Sequence, residues 1–222
     1  MSFVSVTEFE EMYVIRMDDG KANAMGFQML SELDVALDKS ISDCKAAILT
    51  GRKGLLSGGF DLKIIREGTQ DQVSELVSEG VRVLMKLFGL PIPLIVVVPG
   101  HAVALGGFLT LVGDYRIGLQ GDYKIGLNET AIGLTLPSWG LELVNVRLNT
   151  RYITRSAVNA ELFSPEEAIQ VGFLDEVTTE EKLETTAFTI GRKFTTFDMS
   201  VFHKNKLALR RELIRRVLGH HD

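Results

Sequence analysis

Two glycine-containing segments are the parts of this sequence where the backbone itself could do chemistry. They read "LTGRKGLLSGGFDLK" and "VPGHAVALGGFLTL", and each begins at the end of a short apolar run that predicts a buried strand. Each also leads into a stretch with helical periodicity, so each is predicted to be a loop from a strand into a helix. Glycine loses more conformational entropy on folding than other residues, so paired glycines indicate a tight turn or a place where a ligand touches the backbone.

Two such loops side by side could direct two backbone N–H groups at one oxygen atom. Ligands of open parallel sheets gather at the carboxyl ends of strands, where helix N-termini offer unpaired N–H groups. Donors that are fixed before the reaction stabilise an oxyanion as it forms. Taken singly, each loop fits an ordinary turn better, and neither matches a nucleotide-binding fingerprint.

The candidate acid–base group is Glu129, in "GLNETAIG". Because it follows Asn128, the alternative is a solvated turn. Glu142 in "SWGLELV" is a second candidate acid. His101 lies between a predicted strand and a buried helix, where a hydrogen-bonded structural role fits better than that of a base. Cys44 is the one cysteine, which excludes a disulfide framework and a cysteine zinc site.

Composition favours a single globular domain, since 45% of the 222 residues are hydrophobic. The net charge of -5, with acids and bases interspersed, argues against nucleic acid as a partner. Prolines and glycines interrupt the most apolar stretch, which therefore predicts a buried strand and helix and no membrane span. The N-terminal segment lacks the pattern of a secretory signal, and "GHHD" at the C-terminus is not a peroxisomal address, so we expect a cytoplasmic protein.

Strand and helix patterns alternate along the first two-thirds of the chain. The predicted strands lie in 3–19 (two around a turn), 45–51, 93–98, 114–118 and 123–126, and the predicted helices cover 26–41, 72–88 and 105–113. After Pro137 the pattern predicts helices to the end, one of them with Ser164 as N-cap and Glu167 completing a capping box. This order indicates an α/β fold with a mainly parallel sheet, divided into a core over 1–160 and a helical C-terminal portion over 161–222.

Four motifs in order resemble those of the crotonase family, also called enoyl-CoA hydratase/isomerase. They are "LSGGFDLK", "GHAVALGGFLTLVGDYRIG", "IGLNETAIGLTLP" and "SPEEAIQVGFLDEV". Each is weak alone, but the four together cover nearly the whole chain in the family's order. The resemblance implies a crotonase-like spiral of ββα units that binds acyl-coenzyme A thioesters. It also implies a homotrimer or a dimer of trimers, and no cofactor or metal beyond the thioester substrate.

The resemblance also assigns roles to individual residues. It gives the two oxyanion-binding N–H groups to Phe60 and to Leu105, or to its neighbour Gly106; the family usually has glycine at the Leu105 position. Hydratases of the family use two glutamates, of which one falls on Glu129 and the other on Phe108. The residues expected to bind coenzyme or substrate are Ala22, Ala24, Gly58, Gly59, Asp61, Leu62, Lys63, Phe108 and Trp139.

The last predicted helix, "SVFHKNKLALRRELIRRVLG", is rich in basic residues. In the family, C-terminal helices cover the coenzyme, so these side chains are predicted to meet its phosphates; the alternative is a solvated face. They are Lys204, Lys206, Arg210, Arg211, Arg215 and Arg216.

Because phenylalanine cannot transfer a proton, the residue at 108 favours double-bond isomerisation through Glu129 over hydration. The first alternative is a hydratase or other crotonase reaction in which another group replaces the second acid. The second is a protein that binds acyl-CoA without catalysis.

Overall fold

The computed structural model describes residues 2–219, so most of the "GHHD" segment used above for location lies outside the described residues. The strands are β1 (Val4–Phe9), β2 (Met12–Met17), β3 (Ala46–Thr50), β4 (Gly54–Ser57), β5 (Leu94–Val98), β6 (Gly100–Val103), β7 (Tyr115–Leu119), β8 (Ile125–Gly126), β9 (Leu162–Phe163) and β10 (Glu176–Thr178). The α-helices are α1 (Phe27–Asp43), α2 (Leu62–Glu67), α3 (Gln70–Phe88), α4 (Leu105–Leu111), α5 (Ser138–Arg147), α6 (Pro165–Val171), α7 (Glu180–Thr195) and α8 (Met199–Gly219). Within residues 2–219, no helix combines the length and the apolar character needed to cross a bilayer.

The strands form two sheets that the chain visits in turn. The large sheet has the order β1-β2-β3-β5-β7-β10, and the small sheet has the order β4-β6-β8-β9. All pairs are parallel except β1 with β2 and β8 with β9. Three times the chain runs through a strand of the large sheet, then a strand of the small sheet, then one or two helices. These repeats are the ββα units of the predicted spiral, and the α/β fold class is confirmed.

The large sheet is buried on both faces, which explains the unbroken apolar runs of its central strands. In β5, Leu94, Val96 and Val98 pack into the main core, whereas Ile95 and Val97 pack into a smaller cluster beneath α7. This alternation is the two-residue period of a strand with apolar layers on both sides.

Side-chain caps fix the starts of three of the helices. The Asp61 carboxylate accepts the Lys63 N–H at the start of α2 (2.9 Å). Thr69 opens α3 with a capping box, and Ser164 opens α6 with the predicted one. These caps satisfy N–H groups that the first turn of a helix leaves unpaired, so helix direction is set locally.

Two of the sequence predictions about secondary structure are wrong. Strands β4 and β6 lie inside the segments predicted to be loops, and β6 begins directly after Pro99, where we expected the strand to end. The region after Pro137 is not helical throughout, since β9 joins the small sheet and β10 joins the large one. These strands have two to four residues each, too few for a two-residue alternation to stand out. The division at residue 160 stays a prediction.

The basic residues of α8 divide into buried and exposed sets. Lys206 and Arg210 are buried and bind Asp114, at 2.6 and 3.0 Å. Arg216 pairs with Glu142 on α5 at 2.8 Å. The prediction of phosphate contacts is therefore wrong for Lys206 and Arg210, whose charges are used inside the fold. The exposed side chains of the set are Lys204, Arg211, Arg215 and Arg216.

Candidate active site

Three parallel strands of the small sheet end at one place, and each is followed by a predicted site residue. Strand β4 leads to Phe60, β6 leads to Leu105 and β8 leads to Glu129. Parallel pairing of β4 with β6 and of β6 with β8 aligns their carboxyl ends. The three segments therefore meet at one edge of the small sheet, as expected of ligand sites at parallel strands.

This edge opens into a cavity of about 310 Å³ with mainly apolar walls. The cavity is lined by Gly58, Phe60, Leu62, Ile65, Val73, Val77, Ala104, Leu105, Phe108, Asn128, Glu129, Ile132, Leu134, Thr135, Pro137 and Trp139. The sequence-predicted residues among them are Gly58, Phe60, Leu62, Leu105, Phe108, Glu129 and Trp139. Apolar walls around a few polar groups are typical of small-molecule sites.

The backbone on either side of Phe60 is hydrogen-bonded to Met25. Met25 donates its N–H to the Gly59 carbonyl (2.9 Å), and Asp61 donates its N–H to the Met25 carbonyl (3.4 Å). Successive N–H groups of an extended chain point to opposite sides, so the Phe60 N–H is directed away from Met25. Among residues 2–219 it has no hydrogen-bond partner, which leaves it free to bind a ligand oxygen.

The second loop presents the N–H of Leu105, the first residue of α4. Neither Leu105 nor Gly106 has an acceptor for its N–H within the described chain. Leu105 lines the cavity, whereas Gly106 packs so tightly on the Ser57 carbonyl that an added Cβ would lie 2.1 Å from that oxygen. The geometry therefore favours Leu105 as the second donor. Ala104, just before it, has φ +52°, an unusual value for a residue with a side chain.

The two loops touch each other at Gly59. Its φ is +105°, and a Cβ built on it would lie 2.8 Å from the Ala104 Cβ and 3.4 Å from the Leu105 nitrogen. Only glycine adopts this conformation readily while allowing so close an approach. The paired glycines of "LSGGFDLK" thus permit one loop to pack against the other, which brings Phe60 and Leu105 to the wall of the same cavity.

Glu129 begins the 3₁₀ turn Thr130–Ile132 and faces the apolar cavity. Burial raises the pKa of its carboxyl, and nearby backbone N–H groups oppose the shift without cancelling it. Three atoms of cavity-lining residues are buried without a hydrogen-bond partner in the described chain: Glu129 Oε2, Asn128 Oδ1 and Trp139 Nε1. A carboxyl with a raised pKa holds its proton less weakly than an exposed glutamate and can act as an acid as well as a base.

Phe108 occupies the wall where the family resemblance would place a second acid. Its ring is buried against Trp139, with 4.9 Å between the ring centroids. The other candidate acid, Glu142, does not line the cavity and is bound to Arg216 on α8. Among the described residues, Glu129 carries the one carboxyl group that lines the cavity.

The residues predicted to meet the coenzyme lie beside the cavity or at its edge. The Ala22 carbonyl accepts the Gly58 N–H (2.9 Å), and Ala24 donates its N–H to a carboxylate of its own loop (3.0 Å). Both alanines therefore already use backbone groups within the protein. Asp61 acts as a helix cap, and the Lys63 side chain is exposed. Their contacts with a coenzyme stay predictions.

Two further outcomes concern residues outside the predicted set. His101 Nδ1 accepts the Lys124 N–H (3.0 Å), which confirms the structural role expected of it. Val73 and Val77, four residues apart on α3, line the cavity; apolar residues at this spacing indicate only an apolar helix face. Nothing in the pattern distinguishes a core-facing end from a cavity-facing end.

Within residues 2–219, no group of three or more His, Cys, Asp or Glu side chains could hold a metal ion.

Comparison with known proteins defines the class. The family model described as "Enoyl-CoA hydratase/isomerase" matches residues 8–218. A crystal structure of an enoyl-CoA hydratase/isomerase family protein from Pseudomonas syringae is 37% identical, covers 99% of this chain and 94% of its own, and has a TM-score of 0.95. The chain belongs to the enoyl-CoA hydratase/isomerase, or crotonase, family.

Similar proteins include some named as isomerases. One protein of Mycobacterium tuberculosis, 33% identical to this chain, is described as an enoyl-CoA isomerase in one solved structure and as a probable enoyl-CoA hydratase in another. The structure described as an isomerase has a TM-score of 0.94, and the match covers 100% of this chain and 96% of that one. Human mitochondrial enoyl-CoA delta isomerase 1 is 28% identical over 180 residues, which are 79% of this chain and 60% of the relative. The chain spans between 60% and 65% of the length of the human, mouse and rat delta isomerase 1 sequences that it matches.

Proposed function

We propose that this protein is an enoyl-CoA isomerase, which moves a double bond of an acyl-CoA thioester from the 3,4 to the 2,3 position. One observation carries the proposal: a single carboxyl group, that of Glu129, lines an apolar cavity together with Phe60 and Leu105, whose backbone N–H groups have no partner among the described residues. The first group can carry a proton, and the other two can hold the negative charge that forms when the proton leaves.

In the proposed cycle, Glu129 first accepts a proton and then returns it, and two backbone N–H groups bind the thioester oxygen. The thioester oxygen accepts hydrogen bonds from the Phe60 and Leu105 N–H groups. The Glu129 carboxylate removes a proton from the second acyl carbon, and the electrons pass to that oxygen as an enolate. The enolate then collapses with the double bond between the second and third carbons, and Glu129 returns its proton to the fourth carbon. No other reactant is consumed.

Hydration would require a second acid–base group in addition to Glu129. Water addition requires one group to activate the water and another to protonate the carbon beside the thioester. Positioned acid–base groups each contribute about 10²–10⁴-fold. Phe108 stands where the second group would be, and a phenyl ring also offers water no hydrogen bond. The name of the human mitochondrial relative agrees with isomerisation, whereas the Mycobacterium tuberculosis protein carries both an isomerase and a hydratase name.

Two alternatives remain as outcomes of the test. A hydratase would need a second acid from outside the described cavity wall. A protein that only binds acyl-CoA would leave unexplained why a carboxyl group is kept, at a raised pKa, among apolar side chains.

The test compares 3-enoyl-CoA and 2-enoyl-CoA as substrates for the wild type and for Glu129→Gln. We expect isomerisation to outpace hydration in the wild type and to fall by about 10²–10⁴-fold in the variant. Glu142→Gln is the matched control, since it removes a carboxylate paired with Arg216 outside the cavity, and it should keep wild-type turnover. Faster hydration than isomerisation, or full activity of Glu129→Gln, would contradict the proposal.

Assembly and location are proposed on the sequence alone. A homotrimer or a dimer of trimers follows from the family resemblance, and sedimentation of the purified protein measures it. A cytoplasmic location stays a prediction; the names of curated relatives place those proteins in mitochondria or peroxisomes.

A further inference from the structure

We infer that Gly80 and Gly140, two helix glycines outside the cavity wall, set the longest acyl chain that the cavity accepts. Gly80 lies on α3, and the ring of Phe60 rests on it. A Cβ built on Gly80 would lie 2.4 Å from Phe60 Cε1 and 2.6 Å from Phe60 Cζ. The missing side chain therefore makes room for the ring, which is also part of the cavity wall.

Gly140 on α5 makes room for the ring of Phe108, a second aromatic residue of the cavity wall, in the same way. A Cβ built there would lie 2.8 Å from Cζ of Phe108 and 3.2 Å from its Cε1. Phe108 has Trp139 on another side, with 4.9 Å between ring centroids. Of the three aromatic residues that line the cavity, Phe60 and Phe108 thus each pack against a helix at a glycine, which has only a hydrogen in place of a side chain.

The two helices cannot readily move away to relieve an added methyl group. On α3, Arg82 and Lys86 both bind Asp34 of α1, at 2.9 and 2.6 Å. On α5, Arg147 donates to carbonyls at the end of α4, at 2.7 and 2.8 Å, and Glu142 binds α8. Packed interiors transmit strain, so the ring moves toward the side with free space, which is the cavity.

The distances give the size of the effect. With alanine at 80, the nearest Phe60 atom must retreat from 2.4 Å to an ordinary contact of at least 3.4 Å, a shift of about 1 Å. That is close to the length that one methylene adds to an extended chain. Each buried methylene is worth about 0.8 kcal/mol, or about fourfold in affinity. Alanine at 140 needs a smaller retreat, from 2.8 Å, so its effect should be weaker.

The wild-type cavity indicates the class of substrate. A volume of about 310 Å³ corresponds to roughly ten groups of water size, since a water occupies about 30 Å³ in the liquid. Thioesters of straight, medium-length acyl groups would fill it. This inference rests on the proposed function, because it assumes that the acyl chain enters this cavity.

The experiment measures binding, which separates it from activity. Dissociation constants of saturated straight-chain acyl-CoAs from four to fourteen carbons are determined by calorimetry for the wild type, Gly80→Ala, Gly140→Ala and Phe60→Leu. We expect the affinity to rise with acyl chain length up to a certain length and to rise no further beyond it; this length is called the break. The break should move down by one or two carbons in Gly80→Ala, with about a 4- to 15-fold loss for the longest bound chain and little change for the shortest.

Phe60→Leu, which removes the ring, should move the break upward, and combining it with Gly80→Ala should restore the wild-type break. Gly191→Ala is the matched control: its added Cβ would meet the sulfur of Met12 at 2.2 Å, in the cluster beneath α7, away from the cavity. It should lower stability without moving the break. If Gly80→Ala fails to fold, the Phe60→Leu and Gly140→Ala results decide.

If the break is unchanged in Gly80→Ala, Gly140→Ala and Phe60→Leu, or if these variants lose affinity equally at all chain lengths, this inference is overturned and the proposed function is left intact. A wild-type protein that binds none of the thioesters would overturn both.

Discussion

Substituting Gly59 by alanine should damage the site and the fold together, because this residue joins the two loops that offer N–H groups. Alanine at φ +105° costs about 1–3 kcal/mol of backbone strain. Its Cβ would also lie 2.8 Å from that of Ala104, and overpacking of this kind costs about 1–3 kcal/mol. The free energy of unfolding should therefore fall by about 2–6 kcal/mol, a large part of the ~5–15 kcal/mol typical of a domain.

The same contact predicts a loss of turnover. Pushing Ala104 away moves the Leu105 nitrogen, which lies 3.4 Å from the added Cβ position. Removing one oxyanion donor from its place typically lowers kcat by about 10²–10³-fold. We expect Gly59→Ala to lose kcat with 3-enoyl-CoA in that range at a temperature where urea titration shows it still folded.

Gly54→Ala provides the matched control, because Gly54 also has a positive φ, +84°, yet nothing lies within 4 Å of the Cβ position. It should lose only the strain, about 1–3 kcal/mol, and keep kcat. Gly59→Ala combined with Ala104→Gly removes the Cβ–Cβ contact and should recover about 1–3 kcal/mol of the loss. The reasoning is refuted if Gly59→Ala keeps wild-type stability and kcat, or if Gly54→Ala loses as much kcat.

Three further predictions concern charged groups. Because burial raises the pKa of Glu129 in the folded state, its stabilising contribution is complete below the unfolded value of about 4.3 and is lost as pH rises through the folded value. The Tm of Glu129→Gln should therefore rise relative to that of the wild type as the pH increases above about 4.3, and a constant difference in melting scans would contradict this. Asp114→Asn leaves the buried charge of Lys206 without its carboxylate and should cost about 3–5 kcal/mol in urea unfolding, so a loss below about 1 kcal/mol would count against it. Lys204→Gln and Arg211→Gln should weaken acyl-CoA binding, more so at low salt, and unchanged titrations would assign both to the solvated surface.

Much of the large sheet and the main helices could be predicted from the sequence, because their apolar periods are long enough to be distinctive. The run at β5 and the apolar stripe of α3 both lie where the pattern indicated. The small sheet could not be predicted in this way. Its strands have two to four residues and several contain glycine, so only pairing with distant strands defines them.

The site residues were easier to predict from the sequence than the sheet that supports them. Phe60, Leu105 and Glu129 lie within the motifs that resemble the family, and each lines the cavity. The apolar walls were less accessible, because Val73 or Trp139 could equally face a core. The seats of the aromatic rings at Gly80 and Gly140 could not be foreseen, since a glycine in a helix has no pattern that reveals what packs on it.

The basic residues of α8 have the pattern of a solvated helix face, but a buried one among them contacts a helix that borders the site. Arg210 donates to the Val112 carbonyl at the end of α4 (3.4 Å), and Arg147 of α5 donates to the Leu111 carbonyl (2.7 Å). Cations are favourable at a helix C-terminus, where the last carbonyls have no intrahelical partner. The opposite end of this seven-residue helix begins at Leu105, the proposed oxyanion donor. Buried cations that hold one end of so short a helix also limit the movement of the other, so α8 supports the site through α4 whether or not its exposed side chains meet a phosphate.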